Sequence, residues 1–419
     1  MRKKILIGII ACAVILAVSS WAISGIDKNK KDDLFRQVEL FSDSLAIVES
    51  DYADEVDSKK MIYGAISGMV ASLDPHSQFM DPETYNELKS ETEGRFGGLG
   101  IEITVKDGLL TVITPIEDTP AWKAGVKAGD RIVKIDGELT KDITLTEAVK
   151  KMRGAPGQPV NLTILRESEK KILEFKIVRD IIKIKDIKDT RILEDGIGYI
   201  RLVEFRENTP ADLAVALGNL QKQGANALIL DLRNNPGGLL ESAVSVTENF
   251  VEDGKKIVYT QGRKKEQNLE FVSQNKKPNL SLPMVVLIND GSASGSEIVA
   301  GALQDYKRAI IVGIKSFGKG SVQTVIPLSD GSALRLTTSK YFTPSGKMIH
   351  GNGVVPDILV EEGKIELAEK EDLFDIKDAK DKTDAVKQDK APDYKSDNQL
   401  MRAVDVLKAI KIYERKKGN

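Results

Sequence analysis

The chain has 419 residues, 41% of them hydrophobic and 30% charged, and its 61 basic and 63 acidic side chains leave a formal net charge of −2. That length and apolar fraction allow two or three domains with a sizeable core. The charge balance excludes a whole-protein attraction to nucleic acid or anionic lipid, and the single cysteine, Cys12, excludes an intrachain disulfide.

Arg2, Lys3 and Lys4 precede "ILIGIIACAVILAVSSWAI", an uncharged run at residues 5–23 just long enough to span a bilayer. Basic residues before it and the body of the chain after it predict a cytoplasmic N-terminus and an exported body. Residues 1–26 are read as a membrane anchor or a signal peptide, with Ser20-Trp21-Ala22 as the small-x-small cleavage site. "IIAC" also fits a lipoprotein box, although the apolar run continues eleven residues past Cys12. The expected location is extracytoplasmic, in the periplasm or cell envelope, membrane-anchored or secreted.

Residues 27–93 read as a helical N-terminal region. "DDLFRQVELFSDSLAIVESDY" carries Leu34, Val38, Phe41, Leu45 and Val48 at helical spacing. "SKKMIYGAISGMVASL" fits a second helix, and "DPHSQFMDPETY" a turn region. A satellite bundle and a dimerisation or docking arm both fit. From Gly94 to about residue 180 the texture is that of strands, broken by one short helix at "TLTEAVKKMRG". From residue 198 strands and helices alternate, which predicts an α/β domain with a largely buried sheet over 181–361. Residues 362–419 form a charged linker followed by an amphipathic helix at "NQLMRAVDVLKAIKI".

"NDGSASGSEIVAGALQDY", residues 289–306, holds Ser292, Ser294 and Ser296 between a predicted buried strand and a predicted helix. A serine at a strand–turn–helix junction has its hydroxyl beside free N–H groups and the positive end of the helix dipole, which favour a developing anion. The Gly295 N–H is one natural oxyanion donor. The same letters also spell a capping box, Ser294 with Glu297, so a nucleophile and a cap both fit locally.

A nucleophile needs a base. The two histidines, His76 and His350, have no context suggesting an acid that orients them. The other way to activate serine is a lysine made partly neutral by burial. "KSFGKGSVQTV" places Lys319 between two glycines before a strand, with Gln323 four residues on. If the chain is already extended at Lys319, residues 319, 321 and 323 share a face, and Gln323 holds the amine without adding charge. Such a lysine either snorkels to solvent or serves chemistry. The turn in "DLRNNPGGLLES" offers Gly237 and Gly238 as second oxyanion donors at the carboxyl ends of the strands; a plain βα turn also fits. Asp305 lies eleven residues along the helix from Ser294, roughly 16 Å, which assigns it a structural or indirect role. One cysteine, two distant histidines and no phosphate loop argue against a metal or a nucleotide, so no cofactor is expected.

The combination of residues 289–306 with "FGKGSVQT" resembles the carboxy-terminal processing peptidases, or tail-specific proteases, which are serine peptidases with a Ser–Lys dyad. "LDPHSQFMDP", "GGLGIEI", "AGVKAGDRIVKIDG", "DLRNNPGGLL" and "GVVPDI" also have counterparts, so the resemblance covers most of the chain. It implies an α/β protease core of crotonase/ClpP-like βα layers with an inserted β-rich PDZ domain at 94–180 and a helical N-terminal region. It implies Ser294 as nucleophile, Lys319 as base, Gln323 as support and an acid at Asp305 as part of a relay. Gly295 stands where alanine is common and His350 where glutamine is more usual.

In a PDZ domain, Gly98, Leu99, Gly100 and Ile101 would present N–H groups to a C-terminal carboxylate while the adjoining strand accepts the peptide as an added strand. Leu99, Ile101 and Ile103 would line the pocket for the last residue. A generic small β-domain is the other reading. The resemblance implies that this domain captures the substrate tail and gates the active site. The partners expected are protein substrates with apolar C-terminal tails, the membrane through the N-terminal segment, a second copy of the chain and an adaptor protein, with no nucleic acid. The function that follows is an exported serine endopeptidase; the alternative is a membrane-tethered PDZ scaffold without turnover.

Overall fold

The computed structural model describes residues 33–106, 108–141, 143–278, 282–363 and 394–417. The chain divides into two compact units, Met1–Pro75 and His76–Asn419. The apolar run 5–23, with Cys12 and the cleavage site, lies outside the described residues, as does most of the charged linker. Among the described residues no helix is long and apolar enough to cross a membrane. The first unit contains a helix over 33–51 and the helix Ser58–Ala71, whose N-terminus is capped by the Asp57 carboxylate. Leu34, Phe35, Val38 and Phe41 of the longer helix are all exposed.

The larger unit is organised by a six-stranded sheet. In spatial order its strands are Ile187–Ile192, Ile197–Leu202, Ala227–Asp231, Met284–Ile288, Ile310–Gly313 and Ile358–Leu359. All neighbours are parallel except the first pair. Buried on both faces, the central strands read as unbroken apolar runs, as parallel strands do. Alternate residues go to opposite sides. Ile200, Leu228, Leu230, Val286 and Ile288 meet the helices Thr209–Lys222, Leu240–Glu248 and Gly295–Asp305. Tyr199, Ile229, Val285 and Leu287 meet Leu400, Val404 and Leu407 of the C-terminal helix Asn398–Lys417. Each fully buried aliphatic side chain contributes about 1.5–3 kcal/mol, so this two-sided packing fixes where the strand ends lie.

A second, antiparallel sheet runs beside the first. Its long strand Ala333–Phe342 pairs with Ser321–Pro327 on one edge and with Gln78–Met80 and Lys256–Gly262 on the other. A separate β-module lies between two strands that pair with each other, Arg95–Gly98 and Asp180–Lys183. Its core is built by Leu110, Val112, Ile132, Val160, Leu162 and Ile164 with Ala148 and Met152 of the helix Leu145–Met152. A buried two-pronged ion pair, Arg166 to Asp130 with both N–O distances 2.8 Å, ties the end of the strand Pro159–Arg166 to the turn before Arg131–Ile135.

Candidate active site

Three serines crowd the turn after the strand Met284–Ile288, and two of them serve the backbone. Ser292 Oγ donates to the Leu232 carbonyl at 2.8 Å and accepts the Asn289 N–H at 2.9 Å. Ser296 Oγ donates to the Asn235 carbonyl at 2.9 Å. The Ser294 hydroxyl bonds no backbone group; it lies 3.3 Å from the hydroxyl of buried Tyr341. Only half of the expected capping box forms. The Ser294 N–H donates to Glu297 Oε2 at 2.8 Å, but the Glu297 N–H goes to the Ser294 carbonyl at 2.9 Å, and the hydroxyl caps nothing. The reason is the backbone: Ser294 sits at φ 53°, ψ −111°, a left-handed setting that is costly for a residue with a Cβ and concentrates at functional sites.

Glu297 is fully buried, and each of its oxygens accepts two hydrogen bonds. Oε1 takes the Ser316 hydroxyl and the Gly318 N–H, both at 2.6 Å. Oε2 takes the N–H of Ser294 and, at 2.9 Å, the N–H of Lys319. Burial pushes its carboxyl up, and the four donors pull against that. The expected cap partner thus spans both turns of the site.

Lys319 sits in the turn before Ser321–Pro327. The turn is held by the Gly351 N–H on the Gly318 carbonyl at 2.9 Å and the Tyr341 N–H on the Gly320 carbonyl at 2.8 Å. A Cβ at residue 320 would lie 2.2 Å from the backbone nitrogen of His350, so only glycine lets that loop pack here. Ser321 and Gln323 share a face, with Gln323 Nε2 3.4 Å from Ser321 Oγ, and Lys319, in the turn before the strand begins at Ser321, opens on the same cleft. The Lys319 side chain is half-buried. Burial first, and the Arg335 guanidinium second, hold its ammonium below the usual lysine range, with Glu297 opposing them. Among the described residues that ammonium has no hydrogen-bond partner. Gln323 Nε2 donates to Thr337 Oγ1 at 2.8 Å, which leaves Gln323 Oε1 buried without a donor. A buried acceptor left so costs about 1–3 kcal/mol unless a donor reaches it.

The two oxyanion turns meet through Asn235. Its carbonyl accepts the Ala293 N–H at 3.0 Å, and its side-chain amide donates to the Leu202 carbonyl at 2.9 Å. Its Oδ1 takes the Gly237 N–H at 2.9 Å, so Gly237 is not a free donor and the expectation is corrected there. Among the described residues the N–H groups of Gly238 and Gly295 have no acceptor. Gly237, at φ 102°, instead supplies clearance. A Cβ on it would lie 2.6 Å from Ser294 Cβ and 2.8 Å from the Gly295 nitrogen.

Asp305 sits at the far end of the helix Gly295–Asp305. Its Oδ2 accepts the Ser345 N–H at 2.9 Å and its Oδ1 pairs with Lys347 at 3.0 Å. Burial works against its charge, but bonds from Thr343, Ser345 and Lys347 prevail and hold its carboxyl below the usual range. It fastens the loop after Phe342. Ser294, Lys319, Gln323, Gly237, Gly238 and Tyr341 all open on one cleft of about 610 Å³. In the β-module, Gly98, Leu99, Gly100, Ile101 and Ile103 line a smaller hollow of about 120 Å³ with Met152 and Arg153. The N–H groups of Leu99 and Gly100 have no acceptor among the described residues. Tyr341, Arg335 and Asn235 were missed by the sequence reading. The two strand residues carry no local signal, whereas the Asn235–Gly237 contact is an Asx-type turn that the letters N-P-G allow.

A strained serine at the carboxyl ends of a parallel sheet, opening on the same cleft as a half-buried lysine, suits acyl transfer better than any binding role. Comparison agrees: residues 196–360 match the model of peptidase family S41, 111–166 that of a PDZ domain, and 17–84 that of the activating protease CtpB N-terminal domain. The molecule is a serine-type peptidase with a PDZ domain and a helical N-terminal region. Within that class the chain belongs to the carboxy-terminal processing proteases of peptidase family S41. It is 50% identical to the carboxy-terminal-processing protease of Bartonella bacilliformis over 80% of this chain and 78% of that protein. It is 38% identical to the carboxy-terminal processing protease CtpA of Bacillus subtilis over 75% of this chain and 67% of that protein. The solved photosystem II D1 C-terminal processing protease is 31% identical, covering 77% of this chain and 92% of that one with a TM-score of 0.46. Membership in a family of peptidases favours turnover over the scaffold reading.

Proposed function

We propose that this chain is an exported serine endopeptidase that captures protein C-terminal tails through its PDZ domain and cleaves them with a Ser294–Lys319 dyad. The observation that carries the reading is the sharing of Glu297 Oε2 by the backbones of Ser294 and Lys319, which binds the two turns into one unit. In the reaction, neutral Lys319 swings toward Ser294 and takes the hydroxyl proton as Oγ attacks the scissile carbonyl. Gln323 Oε1 receives an N–H of the amine and steadies it. The N–H groups of Gly238 and Gly295 hold the oxyanion. Lys319 then returns the proton to the leaving amine, and water repeats the sequence on the acyl-enzyme.

The free N–H groups of Leu99 and Gly100 support capture of a terminal carboxylate, with Ile101 and Ile103 beside the last apolar side chain. The basic residues before the apolar run 5–23 support export and tethering, and the exposed apolar face of the helix over 33–51 supports a docking arm for a second copy or an adaptor protein.

The test is cleavage of an apolar-tailed protein by the full chain, paired with labelling by a serine-directed fluorophosphonate. Ser294→Ala and Lys319→Ala are expected to abolish cleavage while retaining the folded circular-dichroism spectrum. Wild-type rates in either variant would sink the dyad.

A further inference from the structure

The cleft holds a cation that the mechanism above leaves unused. Arg335 lies in the strand Ala333–Phe342, opposite Gln78 on one side and Val325 on the other. Thr337, two residues on and so on the same face, accepts the hydrogen bond of Gln323. Arg335 therefore faces the cleft from the side of the base, and it lines the same cavity as Ser294, Lys319 and Tyr341. Its guanidinium makes one hydrogen bond, Nη2 to Gln78 Oε1 at 2.9 Å. Its Nε is buried without an acceptor, and no carboxylate pairs with it among the described residues. A partly buried, uncompensated cation is costly to keep.

We propose that Arg335 is a positioning residue for the reaction at Ser294: its fixed positive charge, facing the cleft beside Lys319, keeps the lysine amine neutral and able to accept the serine proton. This rests on the dyad reading. The chemistry is asymmetric. A guanidinium holds its proton throughout the working range, whereas an ammonium under burial and a like charge gives its proton up. Where the two share a cleft, the lysine is the one whose proton is held less tightly. The direction of the Lys319 shift agrees, with Arg335 its second cause after burial.

The other charged groups around Lys319 do not supply this effect. Glu297 on the nucleophile helix acts in the opposite sense and is already engaged by four donors. Arg206 is neutralised by Asp186 and Glu204. Glu91 and Glu241 line the cleft as acids and would only favour a charged lysine. His350 presents its backbone to Gly320.

The test is kcat/KM against pH for the full chain on an apolar-tailed peptide. Arg335→Gln is expected to move the acid limb to higher pH, so that the rate falls about three- to tenfold at neutral pH and recovers on the alkaline side. Arg335→Met, which keeps the apolar stem, gives a second neutral form in case the first folds poorly. Arg335→Lys, whose own charge can titrate, falls between. A uniform loss with the limb unmoved, or a rise in KM at constant kcat, overturns the proposal in favour of packing or substrate contact. Lys319→Ala separates the two ideas: activity retained there overturns the dyad and this inference together, whereas a dead Lys319→Ala beside an unmoved limb in Arg335→Gln overturns this inference alone.

Discussion

The backbone N–H groups of Ser294 and Lys319 donate to one oxygen atom, Glu297 Oε2, at 2.8 and 2.9 Å. The carboxylate in the first turn of the helix Gly295–Asp305 thereby also sets the height of the turn that carries Lys319. Replacing Glu297 with Gln keeps the volume but points an NH2 at N–H donors on one side or the other. The expected result is a loss of about 1–3 kcal/mol in stability and a fall of about a hundredfold in kcat from the displaced turn. Thermal melts and peptide turnover measured together check it; full activity would mean that the turns are held by other contacts.

Lys319 makes a prediction with a definite sign. Its folded-state value is depressed, chiefly by burial, while the unfolded chain titrates at the ordinary lysine value. Below the folded value both states carry the proton and the burial penalty is full. Between the two values the unfolded state binds more protons, so stability rises with pH. Lys319→Met, which keeps the stem and drops the charge, is expected to melt higher than the parent at neutral pH, with the gap closing as the pH rises, while fluorophosphonate labelling disappears. A variant that melts lower at neutral pH contradicts this. By the same sign, cleavage by the parent protein falls as pH drops through the folded-state value of Lys319.

Gly237 is where the fold leaves no room. A side chain there meets Ser294 Cβ, the Ala293 carbonyl and the Gly295 nitrogen below 3.0 Å at a φ of 102°. Gly237→Ala is expected to lower kcat by about 10²–10³ by displacing the Ser294–Gly295 turn and with it the free Gly295 N–H, and to destabilise by about 1–3 kcal/mol through backbone strain. Gly218 is the control. It lies in the helix Thr209–Lys222 with nothing within 4 Å of a built Cβ, so Gly218→Ala is expected to stabilise by about 0.5–1 kcal/mol and leave turnover alone.

Among the described residues, Tyr341 makes the one side-chain hydrogen bond of the Ser294 hydroxyl. Burial pushes its phenol up, so it remains protonated and cannot serve as the base. Tyr341→Phe is expected to change the rate of fluorophosphonate labelling by less than about tenfold, the range of one net hydrogen bond. Loss as complete as in Lys319→Ala would move the tyrosine to the centre of the chemistry.

What the letters revealed of the site follows from how local each signal is. Ser294 was legible because strand, small-residue turn and helix stand in series in one stretch, and Lys319 because glycines flank it. Glu297 was legible as a cap, but its second half, the grip on residues 316–319, depends on a loop about twenty positions away. Tyr341 and Arg335 were read only as members of a strand, since the face a strand residue presents is set by its partners, Gln78 and Val325 for Arg335. Of the two glycines expected as second oxyanion donors, Gly237 is excluded because the Asn235 side chain claims its N–H, which the letters do not show. In the fold, βα alternation revealed the buried sheet, but not that the helix Asn398–Lys417 returns to cover its second face beside Leu287 and Val285.

The left-handed backbone at Ser294 also restricts which side chain this turn can hold. At φ 53° a β-branched side chain is a genuine outlier, so threonine, although it carries the same hydroxyl, is shut out by conformation rather than by reactivity. Cysteine, unbranched at Cβ, is a nucleophile that the turn itself would accept, so a drift from oxygen to sulfur is open where one from serine to threonine is not.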